Sequence, residues 1–298
     1  MESRAPAPFG RVLTAVLTPF DQDGGVDYAT FWRLLRYLAE NGSDGVVVCG
    51  TTGESPTLSE IEKVALFKAA VEAVGDRMKV IAGTGTYDTA ESVELTERAS
   101  EIGVDGAMAV TPYYSRPPQE GLYRHFVAIA EASDLPLIIY NIPSRTARLI
   151  EIDTLVQLSG HPGIVAVKDA VDDIDFTRKE LAALPSDFAV YSGSDHMTRD
   201  IVSAGGVGVV SVLSHLAGPQ IQRLVQAIEN GDDEEAERID VALAPLATAL
   251  FAEPNPMPLK AGMGSMWGRV GDPRLPLVPA APPTLKALEE AMEAAQQV

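Results

Sequence analysis

Cysteine is almost absent from this chain. Cys49 is the only one in 298 residues, so no disulfide can form within it, and a reducing, cytoplasmic compartment suits such a composition. Basic residues are also scarce: 23 Lys and Arg stand against 42 Asp and Glu, a formal net charge of −19. A nucleic acid or an anionic membrane needs a cationic face opposite its phosphates, so neither is an expected partner. Apolar runs such as Gly45 to Cys49 and Val207 to Leu213 fall far short of the roughly 20 residues that cross a bilayer. Met1 to Gly10 carries Pro6 and Pro8 and no continuous apolar stretch, which predicts no signal peptide. The four histidines, His125, His161, His196 and His215, share no ligand spacing, so no metal site is expected. These absences together predict a soluble, cytoplasmic protein.

What is present is an alternation. Hydrophobic content of 46% supports a large core, and α/β barrels reach this length as one unit. Short β-branched runs recur at Val12-Thr18, Gly45-Cys49, Lys79-Gly83, Gly106-Val110, Pro136-Tyr140, Ile164-Lys168, Phe188-Ser192 and Gly208-Val212. Between them, apolar residues fall at spacings of three and four, as at Phe31, Leu34, Leu35 and Leu38, or Ile61, Val64, Ala65 and Phe67. Ser59 and Thr89 precede acidic first turns, and Gly42, Gly75 and Gly103 follow the apparent helix ends. Parallel strands buried on both faces read as continuous apolar runs, and eight strand-helix units at intervals of roughly 20 to 33 residues predict a (β/α)8 TIM barrel over residues 1–230. The same alternation also feeds a doubly wound open sheet, which stays open at this stage.

After Asn230 the pattern turns to helices only, expected at Asp233-Phe251, Met257-Trp267 and Pro283-Gln296. Glu253-Pro254-Asn255-Pro256 and Asp272-Pro273-Arg274-Leu275-Pro276 punctuate them. No flexible linker intervenes, so residues 231–298 are expected as a C-terminal helical extension packed on the barrel.

In such barrels the chemistry sits where strands end. Lys168 closes Ile164-Val165-Ala166-Val167-Lys168, and of the seven lysines it alone reads as buried. An amine in an apolar wall loses hydration of its charged form, so a nucleophilic neutral fraction arises near neutral pH, as a Schiff-base lysine requires. Tyr140 ends the fifth run, where a phenol can shuttle the protons that carbinolamine formation and dehydration move. Thr51 and Thr52 turn the chain after the second run, and a hydroxyl that both donates and accepts can relay a proton. Tyr113 and Tyr114 follow Thr111-Pro112 and suit an anchoring role as well as a reactive one. Arg145 is the clearest cation for an anionic substrate, since its planar fork matches a carboxylate. Ala204-Gly205-Gly206-Val207-Gly208 fits either a phosphate cradle or a tight turn.

Gly50-Thr51-Thr52-Gly53-Glu54-Ser55, Val110-Thr111-Pro112-Tyr113-Tyr114, Tyr140-Asn141-Ile142-Pro143-Ser144-Arg145-Thr146 and Val167-Lys168-Asp169 come in one order over most of the chain. Together with Glu253-Pro254-Asn255-Pro256, this set resembles the 4-hydroxy-tetrahydrodipicolinate synthases, formerly dihydrodipicolinate synthases. They belong to the pyruvate-dependent class I aldolase superfamily that includes N-acetylneuraminate lyase. The resemblance implies a lyase of lysine and diaminopimelate biosynthesis that joins pyruvate to L-aspartate 4-semialdehyde without a cofactor. It implies that Lys168 forms the Schiff base, that Tyr140 donates and accepts protons, and that Thr51 and Tyr114 complete a relay, with Tyr114 reaching in from a neighbouring subunit. Thr52 and the backbone of Val210 match positions that hold the pyruvate carboxylate, Gly193 a carbonyl lining the site, and Arg145 the residue that gathers the semialdehyde's carboxylate. A homotetramer built as paired dimers is implied as well.

Two departures stand out. Ser194 occupies a position where many relatives carry an acid. In the pocket where sensitive members bind lysine, which corresponds to Ser55, Glu60, Tyr87, Glu91 and Tyr113, Glu60 and Tyr87 replace a histidine and an asparagine, so weak or absent lysine feedback is expected. A related aldolase or lyase taking another aldehyde, such as a sugar acid, is the competing reading. A non-catalytic barrel that binds a small acid is a third.

Overall fold

The computed structural model describes residues 5–296. Residues 1–4, which open the stretch read as lacking a signal peptide, and residues 297–298 of the extension lie outside the described residues. The strands are β1 Val12–Ala15, β2 Gly45–Val48, β3 Lys79–Gly83, β4 Gly106–Val110, β5 Leu137–Asn141, β6 Ile164–Asp169, β7 Ala189–Ser192 and β8 Gly208–Ser211. All neighbours pair in parallel, and β1 returns to β8 through Leu13↔Val210, so the sheet closes on itself. Closure excludes the open doubly wound alternative. The first strand is shorter than the run Val12-Thr18 predicts. Val16 N still donates to Val47 O at 3.1 Å, but beyond it Leu17 N donates to His215 Nε2 at 3.2 Å and the Thr18 hydroxyl donates to Gly53 O at 2.7 Å.

The barrel is filled by Leu13, Val47, Ile81, Met108, Ile138, Ala166, Ala189 and Val210, with Phe9 among them. Any Cβ at Gly106 would lie 2.5 Å from the Phe9 ring, so the missing side chain there makes room for that aromatic. The other face of each strand packs on helices α1 Tyr28–Glu40, α2 Glu60–Val74, α3 Thr89–Ile102, α4 Gln119–Ala130, α5 Pro143–Thr146, α6 Ile152–Ser159, α7 Ile174–Ala183, α8 Thr198–Ala204 and α9 Ser214–Asn230. Leu34, Leu35 and Leu38 of α1 are wholly buried, which at about 1.5–3 kcal/mol per side chain is enough to fix the helix on the sheet. Ser59 caps α2 in a reciprocal arrangement with Glu62. At α3 the cap is Asp88 rather than the expected Thr89, because its carboxylate accepts from both Ala90 N and Glu91 N. Gly103 ends α3 at φ 87°, a left-handed conformation in which a Cβ is strained.

Three further helices, α10 Asp233–Leu250, α11 Met257–Met266 and α12 Pro282–Ala295, follow. Ile239, Leu243, Leu250, Leu259, Met263 and Leu288 join the same apolar cluster as Val12, Val46, Leu34 and Leu224, so this part of the chain shares its core with the barrel. No helix among the described residues is long and apolar enough to cross a membrane.

Candidate active site

Strand closure brings the ends of β2, β5, β6 and β7 to one rim. Lys168 lies near the end of β6, in register with Tyr140 on β5 and Tyr191 on β7. It is 5% exposed, and its Nζ stands 4.0 Å from the centroid of the Tyr140 ring. Burial pulls the ammonium from 10.5 down to about 7; the nearby Asp195 carboxylate works against this and the Arg145 guanidinium with it. Burial pushes the Tyr140 phenol up to about 12, offset by Arg145 and by the Thr51 hydroxyl that faces it. At neutral pH the pair is therefore a partly uncharged amine beside a protonated phenol. That is the state in which one attacks a carbonyl and the other supplies or recovers its proton.

Thr51 and Thr52 lie in a tight turn after β2, between two non-glycine residues in the left-handed region, Cys49 at φ 58° and Glu54 at φ 58°. The Cys49 thiol is buried and held protonated by the loss of solvent, which leaves it a packing group. Thr51, Tyr140 and Arg145 line a cavity of about 460 Å³, together with Ser55, Lys63, Tyr87, Glu91 and Tyr113. Arg145 rides on α5, one turn of helix directly after β5, and is exposed with no carboxylate partner among the described residues. Gly193 follows β7 and must be glycine for steric reasons: a Cβ there would lie 2.8 Å from Asp169 O and 3.0 Å from Lys168 Cγ. Val210 is buried in β8 opposite Leu13. Thr52 is buried beside the cavity wall and is hydrogen-bonded by Asn255.

One residue singled out by sequence stands apart. Tyr114 is 94% exposed with φ 67° and does not line the cavity, whereas Tyr113 lines it and meets Tyr87 edge-on at 5.2 Å. In the pocket expected for lysine, Ser55, Tyr87, Glu91 and Tyr113 converge, but Glu60 is drawn outward to Arg98 at 3.0 Å. The expectation that Lys168 is the only buried lysine is wrong. Lys63 is 6% exposed and Lys260 is 4% exposed. Lys63 lies on α2 and lines the cavity, while Glu54 Oε1 meets Lys260 Nζ at 2.6 Å.

Three buried carboxylates, Asp195, Asp169 and Glu180, are given no role by the sequence. Asp195, after β7, accepts from Ser211 Oγ and from the backbone of Val212 at 2.9 Å and Leu213 at 3.0 Å, which ties the end of β8 to Lys168's surroundings. Asp195 ends a motif visible in the sequence, but nothing near it announces those partners. Asp169 holds Thr177 Oγ1 and Val171 N beneath the rim and faces the buried Glu180. Burial drives the Glu180 carboxyl well above the ordinary range, so it keeps its proton beside Asp169. No group of His, Cys, Asp and Glu among the described residues is arranged to hold a metal ion.

With this geometry in view, the likeness to known proteins is informative. A model of the Dihydrodipicolinate synthetase family matches residues 8–295. A 4-hydroxy-tetrahydrodipicolinate synthase of Synechococcus elongatus is 49% identical over 284 residues, 95% of each chain. A solved dihydrodipicolinate synthase of Cyanidioschyzon merolae with lysine bound superposes with a TM-score of 0.96 at 43% identity, over 98% of this chain and 100% of that one. Another, from Acinetobacter baumannii and complexed with pyruvate, gives 0.94 at 37% identity, over 97% of this chain and 100% of that one.

Proposed function

The chain belongs to the dihydrodipicolinate synthetase family, and from that membership we propose that it condenses pyruvate with L-aspartate 4-semialdehyde to 4-hydroxy-tetrahydrodipicolinate, in lysine and diaminopimelate biosynthesis. The observation that carries the reading is the buried Lys168 amine against the Tyr140 ring, on the rim of a closed barrel. The neutral amine adds to the keto carbon of pyruvate. Tyr140, relayed through Thr51, returns a proton to the carbinolamine oxygen, and water leaves. The iminium then draws electrons from the adjacent methyl group, a proton is lost, and the enamine carbon attacks the aldehyde. The amino group of the bound semialdehyde finally adds to the imine carbon, closing the ring and releasing Lys168 as a free amine.

Thr52 and the backbone of Val210 hold the pyruvate carboxylate, Gly193 contributes a carbonyl to the wall, and Arg145 receives the carboxylate of the semialdehyde. Arg145 suits that task because it is a cation with no carboxylate partner among the described residues, on a strongly acidic protein. Tyr114, turned out from its own chain at a strained φ, enters the site of a second copy, and the working assembly is a homotetramer of paired dimers. Residues 1–230 serve as the catalytic barrel and residues 231–298 as its extension, in a cytoplasmic enzyme that needs no cofactor.

Borohydride reduction with pyruvate, followed by mass spectrometry, tests the first step: a pyruvate-derived mass is expected at Lys168, and labelling elsewhere or nowhere refutes it. A panel of aldehydes tests the second. Consumption of a sugar aldehyde but not of aspartate semialdehyde would assign the protein to the related aldolases instead.

A further inference from the structure

The Thr52 hydroxyl has a single hydrogen-bond partner among the described residues, and it comes from far along the chain. Asn255 Nδ2 donates to Thr52 Oγ1 at 2.9 Å across 203 positions, and both residues are buried. Asn255 sits in the loop between α10 and α11, within the motif Glu253-Pro254-Asn255-Pro256, so it is delivered by the extension rather than by the barrel. Its own Oδ1 is buried without a partner. An orphaned carbonyl costs about 1–3 kcal/mol, so the amide is placed at some expense to stability. In the reversed amide the oxygen would accept from Thr52 and both amide hydrogens would be buried and unpaired, against one oxygen and one hydrogen in the arrangement seen.

A hydroxyl carries one hydrogen and two lone pairs. With the Asn255 amide hydrogen on a lone pair, the Thr52 hydrogen must find another acceptor, and among the described residues the chain offers none. We propose that Asn255 is a positioning residue: its amide holds the Thr52 hydroxyl as a donor aimed at the carboxylate of the keto acid bound at Lys168, so that the extension completes the substrate cradle. This rests on the reading of Thr52 as a carboxylate-binding residue.

The extension also secures the backbone of the same turn. Glu54, two residues beyond Thr52, meets Lys260 Nζ of α11 at 2.6 Å, with both side chains almost wholly buried, and accepts from Arg274 N at 2.9 Å. Lys260 Nζ in turn lies 4.0 Å above the ring of Phe20. The ion pair fixes where the turn lies, and Asn255 fixes which way the hydroxyl proton points.

The test compares the full-length wild type with Thr52→Val, Asn255→Ala, Asn255→Asp and the Thr52→Val/Asn255→Ala pair, measuring KM for each substrate and pyruvate capture by borohydride. Asn255→Ala is expected to raise the pyruvate KM about tenfold, the worth of one aimed hydrogen bond to a charged group, with the aldehyde KM within about twofold of wild type. Asn255→Asp should weaken pyruvate further, since a carboxylate accepts the hydroxyl proton and turns it from the substrate. The double variant should bind pyruvate no more weakly than Thr52→Val alone, because the amide acts through that hydroxyl. A merely structural Asn255 would raise both KM values and add to Thr52→Val, which overturns the proposal, as does a wild-type pyruvate KM in Asn255→Ala. If Thr52→Val itself leaves pyruvate binding intact, it is the reading of Thr52 that fails. Thermal melts accompany each variant, and should Asn255→Ala not fold, Asn255→Ser carries the same comparison.

Discussion

Replacing Lys168 with methionine should stabilise the protein at and below neutral pH while abolishing pyruvate capture. Methionine keeps an unbranched side chain in the same apolar wall but removes the charge. Burial lowers the amine from 10.5 to about 7, so about half of it is uncharged at pH 7, against about one in three thousand for an exposed lysine. The sign follows from linkage. Between pH 7 and 10.5 the unfolded chain holds this proton and the native protein does not, so unfolding takes up a proton and stability rises with pH across that window. Below pH 7 the full penalty is in force, and above 10.5 it is gone. At about 1.36 kcal/mol per tenfold, the displacement corresponds to roughly 5 kcal/mol as an upper bound. Asp195, left without its cation but still holding Ser211 and two backbone N–H groups, offsets part of the gain, so about half is expected to survive. On the order of 2 °C per kcal/mol, Lys168→Met should melt several degrees above wild type at pH 6.5, with the difference closing by about pH 10. Melting curves from pH 6 to 10 at one protein concentration provide the assay. Parallel curves for the two proteins would mean that Lys168 titrates as an ordinary surface amine, and the neutral-nucleophile argument would fall.

The remaining predictions concern the surroundings. Tyr114→Phe and Lys168→Ala should each be nearly inactive, yet mixed and reassembled they should regain partial activity through sites with one intact copy of each residue; no recovery on mixing would place Tyr114 outside the shared site. Lys260→Met leaves Glu54 buried without its cation and should cost about 3–5 kcal/mol, read from denaturant unfolding, while Glu54→Gln/Lys260→Met should recover part of it. Lysine at millimolar concentration should leave activity unchanged, because Glu60, one of the positions expected to hold it, pairs with Arg98 instead; strong inhibition would contradict this.

Sequence by itself determined the eight strands, the rim on which the chemistry sits and the family. Strands buried on both faces read as apolar runs, and Tyr140 and Lys168 stand out as the reactive groups that close two of them. Lys168, Tyr140, Thr51 and Arg145 were legible because each is marked by its position at a strand end and by its chemistry. Only the tertiary structure decided closure, since Leu13↔Val210 pairs the first strand with the last, far apart in the chain, which no local period encodes. It also decided which lysines lose water: Lys63 lies in a charge-dotted helical stretch and Lys260 follows a proline-rich loop, and neither context announces the burial that the fold imposes. Asp195 and Asn255 belong to the same class, because a side chain's hydrogen-bond partner 17 or 203 residues away is set by how the layers meet and not by its neighbours in the chain.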